Sequence, residues 1–79
     1  MTASEFLRFL VSSMVAHPED VAIEEIEDDL GTLLTLRAHQ SDMRTIIGRD
    51  GRTIQAIRTV LRVYGSKADK RINLKILED

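Results

Sequence analysis

The chain has 79 residues, of which 43% are hydrophobic and 30% are charged, and it contains no cysteine. This length provides one small core, so we expect residues 1–79 to form a single domain, and disulfides and cysteine-based metal sites are excluded. The formal net charge of −2 hides an asymmetry: residues 1–40 hold two basic and eight acidic side chains, whereas residues 41–79 hold nine and five. A positive face can therefore form on an acidic protein.

The first predicted element is a helix that begins after Thr2. Thr2 and Glu5 have the spacing of a capping box, and apolar residues follow at helical intervals up to position 15. Pro18 disfavours helical geometry at His17, so we expect the helix to end near Ala16. The apolar segment 6–16 is too short to cross a bilayer and lacks the basic start of a secretory signal. These features favour a cytoplasmic protein that is not associated with a membrane.

A β-hairpin is predicted next. Residues 21–27 are rich in Ile and Glu, residues 28–31 are turn formers, and apolar residues alternate with polar ones from Leu34 to Ala38.

Two helices and a strand are predicted for the remainder of the chain. Ser41 or Asp42 can cap a short helix that ends at residues 46–47, and a longer helix runs from about residue 52 to 64, where Gly65 is expected to end it in a left-handed conformation. Alternation over residues 72–76 predicts the last strand. The order αββααβ predicts an α+β fold in which the helices pack on one face of a three-stranded sheet.

The segment Gly48-Arg49-Asp50-Gly51 is the main functional candidate. Two glycines at this spacing are weak evidence alone, since a plain turn between helices would also produce them. Here two predicted helices flank the pair. Glycine lets another chain's phosphate approach the backbone closely, and the amides at the start of the next helix attract an anion. The loop therefore favours a clamp on a single-stranded nucleic acid.

The stretch DMRTIIGRDGRTIQAIRTVLR at residues 42–62, supported by HPEDV at 17–21, resembles the bacterial KhpA family of single KH domains. The resemblance extends over nearly the whole chain and implies a type II KH fold that binds single-stranded RNA, without catalysis or a cofactor. The clamp would fall on residues 48–51, and Ile47 and Ile54 would line a groove for bases. Similar proteins commonly form homodimers, and some pair with a larger KH-containing protein.

Basic side chains extend the candidate surface beside the loop. On a helical wheel, an arc of about 120° holds Arg52, Gln55, Arg58, Thr59 and Arg62, and Arg44 and Arg49 could continue it as a positive strip. A solvated helix face is the alternative. The predicted RNA-binding residues are Arg44, Ile47, Gly48, Arg49, Asp50, Gly51, Arg52, Ile54, Gln55 and Arg58.

Asp50 departs from the KH pattern, which often has a basic or neutral residue at this position. Its carboxylate would repel a nearby phosphate by up to about 1 kcal/mol in a water-like dielectric. Two hypotheses follow. The first is a non-enzymatic RNA-binding module that acts as an RNA chaperone or post-transcriptional regulator. The second is a protein-interaction module that keeps the KH fold but has little RNA affinity.

Other residues carry weaker predictions. The apolar arc of the longer helix spans about 180°, wider than one core needs, so we expect a homodimer that buries Val60 or Val63. The three aromatic residues are interpreted as core or interface. His17 and His39 have no patterned partner ligands and are interpreted as structural or surface residues. The acidic cluster at 24–29 lacks the pattern of a calcium loop.

Overall fold

The structure, a computed structural model, describes residues 1–78. It contains three α-helices and three strands in the predicted αββααβ order. They are α1 (Ala3–Ser12), β1 (Ala22–Asp28), β2 (Gly31–Arg37), α2 (Met43–Ile47), α3 (Arg52–Lys67) and β3 (Ile72–Ile76). Short 3₁₀ turns lie at Pro18–Asp20, Gln40–Asp42 and Arg49–Gly51. The predicted α+β class is confirmed.

The sheet has the order β1-β2-β3, with β2 in the centre. β1 and β2 form an antiparallel hairpin, whereas β2 and β3 are parallel. Parallel strands need a long crossover, and here α2 and α3 provide it. The pairing register places Leu34 between Glu25 and Leu74. This topology puts the glycine loop and both crossover helices on the same side of the sheet.

The core lies between the three helices and one face of the sheet. Leu34 and Leu36 of β2 are fully buried, as are Leu7 of α1, Ile46 of α2 and, to within 1% exposure, Leu61 of α3. Alternate residues of the strands, Glu24 and Lys75 among them, point away from the helices and are exposed. Truncating a buried leucine of this kind to alanine typically costs about 2–5 kcal/mol.

The start of α1 is the predicted capping box. The Thr2 hydroxyl accepts from the Glu5 amide at 3.1 Å, and the Glu5 carboxylate accepts from the Thr2 amide at 2.8 Å. Hydrogen bonding of the Glu5 carboxylate to Thr2, chiefly to its backbone amide, holds the pKa of Glu5 below its ordinary value. The predicted end near Ala16 is wrong, because α1 ends at Ser12. The amides of Ala16 and His17 donate instead to the Asp42 carboxylate, at 3.1 and 3.0 Å.

The end of α3 also differs from the prediction. The helix continues through Gly65 to Lys67, and the left-handed residue after it is Asp69, with φ of 58°. Gly65 is buried, and a Cβ there would lie 2.6 Å from the Lys70 carbonyl and 2.9 Å from the Ile72 side chain. Glycine is therefore required because the chain returns closely past α3 to enter β3, and not for its dihedral freedom.

No helix within residues 1–78 combines the length and the apolar character needed to span a membrane.

Candidate nucleic-acid interface

The glycine loop folds back onto the start of α3. The Gly48 amide donates to the Arg44 carbonyl at 2.8 Å, which closes α2. Gly48 then adopts φ 79° and ψ 173°, a combination available essentially to glycine alone. A Cβ at this position would overlap the side chain of Thr53. Both the dihedral angles and the packing therefore require glycine at position 48.

The second half of the loop is left-handed and open. Asp50 and Gly51 have φ of 56° and 73°. Asp is among the few residues other than glycine that tolerate this region, which accounts for its presence in a loop where a carboxylate would repel phosphate. A Cβ at Gly51 would meet nothing within 4 Å. The outer side of the loop is thus open to another molecule.

The loop ends at a helix start that has the properties of an anion site. Among the residues that the structure describes, no side chain caps the first turn of α3, and that turn contains no acidic residue. Uncapped amides and the positive end of the helix dipole attract negative charge. Arg49 and Arg52 flank this point and are exposed. Neither makes an ion pair or a side-chain hydrogen bond with the residues that the structure describes, so both guanidinium groups are available to a ligand.

A cavity of about 330 Å³ lies beside the loop. We call it the loop cavity; it is lined by Ala38, Gln40, Met43, Arg44, Ile47, Gly48, Leu77 and Glu78. Its volume falls within the range of small-ligand sites. Of the two residues predicted to line a groove for bases, Ile47 lines this cavity, whereas Ile54 is only 5% exposed and belongs to the core.

Several residues of the loop cavity were not anticipated from the sequence. The Leu77 amide donates to the Leu36 carbonyl at 2.9 Å, so the parallel pairing of β2 and β3 continues beyond β3. This pairing brings Leu77 close to Ala38 and Met43. The alternating pattern of β2 was a signal for an inward Ala38, but nothing local indicated that residue 77 would lie beside it.

The predicted basic residues lie at different parts of this surface. Arg44 lines the loop cavity from the α2 side. Gln55 is exposed on α3, one turn after Arg52. Arg58 is half-buried, and its Nη2 donates to the Leu74 carbonyl at 3.4 Å, so it reaches from α3 to β3. Arg58 therefore lies on the β3 side of α3, whereas Arg44 lies at the loop cavity.

A buried carboxylate anchors the segment that leads into α2. Asp42 is 3% exposed and accepts from the amides of Ala16 and His17 and from His17 Nδ1, the last at 3.1 Å. Burial raises the pKa of Asp42, but these hydrogen bonds outweigh burial and hold it below its ordinary value. Asp42 occupies the N-cap position of α2, one of the two residues predicted to cap it, but its side chain makes no capping hydrogen bond because it accepts from residues 16 and 17.

The two histidines belong to the same anchor. The His17 and His39 rings stack with centroids 4.0 Å apart, and His39 Nδ1 accepts from the Ser41 amide at 3.1 Å. The Asp42 carboxylate and the Ser41 hydroxyl both approach His17 at Nδ1, so this group lacks the arrangement of a catalytic triad. Within residues 1–78, no group of three or more His, Asp or Glu side chains could hold a metal ion.

The αββααβ order, the parallel pairing of β2 with β3 and the glycine-flanked loop between α2 and α3 together define a type II KH domain. The model of the KhpA/KhpB KH domain matches residues 4–76. The chain belongs to this family, and the predicted resemblance is confirmed. Membership also confirms the prediction that the chain is not an enzyme.

Relatives of similar length support this assignment. The RNA-binding protein KhpA of Borreliella burgdorferi is 42% identical over 74 residues, covering 94% of this chain and 90% of the relative. The RNA-binding protein KhpA of Listeria monocytogenes is also 42% identical, covering 94% and 97%. The RNA-binding protein KhpA of Chlamydia pneumoniae is 37% identical over 75 residues, covering 95% and 96%.

Proposed function

We propose that this chain is a non-catalytic, cytoplasmic RNA-binding protein, with residues 1–79 forming one KH domain that clamps single-stranded RNA. The observation that carries the proposal is the open, left-handed loop at the start of α3, flanked by Arg49 and Arg52, whose side chains have no partner among residues 1–78. The names of the relatives support RNA as the ligand. A small module of this kind suits an RNA chaperone or a post-transcriptional regulator.

Different residues would contact the RNA backbone and the RNA bases. Arg49 and Arg52 would contact phosphates, and amides of the loop and helix start that have no backbone partner would donate hydrogen bonds to the same phosphates. Ile47 and the other apolar walls of the loop cavity would contact a base. Arg44 and Gln55 stand at the edges of this surface, where they can hydrogen-bond to phosphate, sugar or base.

The positions of the aromatic residues favour base contacts with the aliphatic walls of the loop cavity over base stacking on aromatic rings of the sheet. Phe6 and Tyr64 stack on each other, with ring centroids 5.2 Å apart, between α1 and α3. Phe9 follows Phe6 by one helical turn and is also on that side. No Phe or Tyr lines the loop cavity. Contacts to bases at the loop would therefore be aliphatic and polar, as KH domains allow.

The direct experiment is an NMR titration with random short single-stranded RNA. We expect the amide shifts to concentrate at residues 47–55, with a second group at the walls of the loop cavity. Residues of the outer sheet face, such as Glu24 and Lys75, serve as an internal control and should not shift. A titration with no shifts at residues 47–55 would contradict the proposal.

A second observation favours a protein partner as well. Phe9, Val60 and Val63 are 64%, 42% and 65% exposed, and we call them the α1–α3 apolar surface. Phe9 lies one turn from Phe6 and Val60 one turn from Tyr64, so the Phe6–Tyr64 stack joins the two helices beneath this surface.

We infer that the α1–α3 apolar surface forms a homodimer interface, and that a larger KH-containing protein would use the same surface. It lies on the opposite flank of α3 from Arg58, so a dimer would leave the basic side free for RNA. If RNA affinity proved negligible, this surface would make the chain a protein-interaction module.

A further inference from the structure

A second cavity lies at the opposite end of α3 from the glycine loop. Its volume of about 300 Å³ is at the lower end of the range of small-ligand sites, and it opens between the start of α1 and the end of α3. We call it the distal cavity; its lining includes Glu25, Glu27, Thr32, Tyr64, Lys70 and Ile72. None of the residues predicted to bind RNA lines it, so the distal cavity is separate from the candidate nucleic-acid interface.

The floor of the distal cavity is a polar row on the helix-facing side of the sheet. Thr32 of β2 pairs with Glu27 on one side and with Ile72 on the other. Glu25 pairs with Leu34, which is fully buried in the core, so Glu25 belongs to the same side. The sheet face that packs on the core is normally apolar. Here two carboxylates lie on that face, where a cavity remains between the helices.

Thr32 is buried at this floor without a hydrogen-bond partner for its side chain. The residue is only 4% exposed, and its hydroxyl makes no hydrogen bond within residues 1–78, although its backbone amide donates to the Arg71 carbonyl at 2.7 Å. No fully buried side-chain oxygen in that range lacks a partner, so the hydroxyl must remain accessible from the cavity that Thr32 lines. A polar group at such a depth normally has a partner, and a ligand in the distal cavity would supply it.

The charges around the distal cavity favour a cation. Lys70 donates to Glu27 at 2.6 Å and so pairs with one of the two carboxylates. Glu25 accepts from the Ser4 amide at 3.2 Å, and no cation of residues 1–78 lies within ion-pair distance of it. The pKa of Lys70 is raised, chiefly by the hydrogen bond and the charge of Glu27, with a smaller contribution from Glu25. These surroundings therefore stabilise a positive charge, and Glu25 has lone pairs left for a second one.

We propose that the distal cavity binds a small alkylammonium ligand, whose ammonium group lies between the Glu25 carboxylate and the Thr32 hydroxyl. These two residues are diagonal neighbours on adjacent strands, a relationship that separates side chains by about 7 Å and leaves room for one ammonium group between their oxygens. An ammonium group has three donors and no acceptor, which matches two oxygens with free lone pairs. Ile72 and the ring of Tyr64 would contact the methylene groups. This site does not depend on the proposed RNA binding.

The probe is butane-1,4-diamine, titrated into the full chain without RNA and followed by NMR amide shifts. Butane-1,4-diol, which has the same carbon chain without charge, and sodium chloride at equal ionic strength are the ligand controls. Glu25→Gln and Thr32→Val each remove one proposed contact while nearly keeping the shape of the side chain. Glu24→Gln is the matched control, because it removes the same charge from the same strand on the outer sheet face. Circular dichroism verifies that each variant is folded.

We expect saturable shifts centred on residues 32, 68 and 72 with the diamine and none with the diol. Glu25→Gln should raise the Kd for the diamine at least about fivefold, and Thr32→Val at least about threefold, because a charge-assisted hydrogen bond is stronger than a neutral one. Glu24→Gln should change the Kd by less than about 1.5-fold, as expected for an exposed charge outside the site.

Several results would overturn the proposal, and none of them bears on RNA binding. Shifts that do not saturate, or that sodium chloride reproduces, would show only a diffuse attraction of cations to an acidic strand. An equal loss in Glu24→Gln and Glu25→Gln would lead to the same conclusion. Equal binding of the diamine and the diol would show that the cavity does not recognise charge. An unchanged Kd in Glu25→Gln or in Thr32→Val would show that the ammonium group does not lie between these two residues.

Discussion

The backbone of Gly48 lies directly against the side chain of Thr53, so that a Cβ at position 48 would overlap it. Gly51, three residues later, faces open space. The two glycines of the loop therefore have different structural roles. Gly48 allows the loop to pack against α3, and Gly51 provides a left-handed turn on the exposed side.

This difference predicts unequal effects of alanine at the two positions. Gly48→Ala should lower the free energy of unfolding by about 2–3 kcal/mol, since it adds an overlap to backbone strain. Gly51→Ala should lower it by about 1 kcal/mol, the cost of a left-handed alanine. Urea denaturation followed by circular dichroism measures both. Equal losses, or a larger loss for Gly51→Ala, would show that Gly48 is not packed as described.

Asp50 should limit RNA affinity through its charge and not through its shape. Asp50→Asn keeps a residue that tolerates φ of 56° while removing the carboxylate. We expect up to about fivefold tighter RNA binding, equivalent to about 1 kcal/mol, with unchanged stability. Asp50→Lys should also bind RNA more tightly but should unfold more easily, because lysine is strained at this φ. Fluorescence anisotropy and thermal unfolding report the two properties separately. Unchanged affinity in both variants would mean that no phosphate lies near residue 50.

Asp42 should make stability dependent on pH. Its pKa in the folded protein is depressed, so its contribution is present above the unfolded value of about 4 and is lost as the pH falls through the folded value. Asp42→Asn should be less stable at pH 7 and should lose less stability between pH 6 and pH 3 than the wild type. Urea titrations across this range test the sign. If the variant lost as much stability as the wild type on acidification, the carboxylate would not be the group responsible.

Charge placed on the α1–α3 apolar surface should separate dimerisation from RNA binding. Val63→Asp should weaken a homodimer at least tenfold, about 1.4 kcal/mol, because a carboxylate would have to be desolvated at the interface. Val63 is 65% exposed, so the monomer should remain folded. Lys75→Asp, which places a carboxylate on the exposed outer sheet face, is the control. Sedimentation equilibrium gives the association constant. A wild type that stays monomeric at high micromolar concentration would contradict this prediction.

Local signals in the sequence predicted the element order and the start of α1. Thr2 and Glu5 are three residues apart, so their capping box is visible without any tertiary information. The end of α1 was misplaced because it depends on Asp42, which lies 26 residues beyond Ala16. Gly65 was misinterpreted for a similar reason, since its contacts with Lys70 and Ile72 exist only after the chain has turned back toward the sheet.

The sequence likewise predicted only part of the candidate site. The glycine spacing and flanking arginines indicated the loop from its local pattern. The loop cavity could not be predicted in full, because Leu77 comes close to Ala38 only through the parallel register of β2 and β3. The contact of Arg58 with the Leu74 carbonyl has the same origin, since the two residues are 16 apart in the chain and meet between α3 and β3.

The most direct test of the RNA clamp is the affinity of Arg49→Asp for a ten-nucleotide single-stranded RNA, measured by anisotropy at several salt concentrations. Arg49 is exposed, so stability should change by less than about 0.5 kcal/mol. Lys75→Asp, which reverses an exposed charge on the outer sheet face, is the control. We predict that Arg49→Asp binds at least tenfold more weakly, about 1.4 kcal/mol, with a salt dependence flatter by about 0.7 in log–log slope. An affinity and slope equal to those of the wild type, with the variant folded, would show that this loop does not hold RNA.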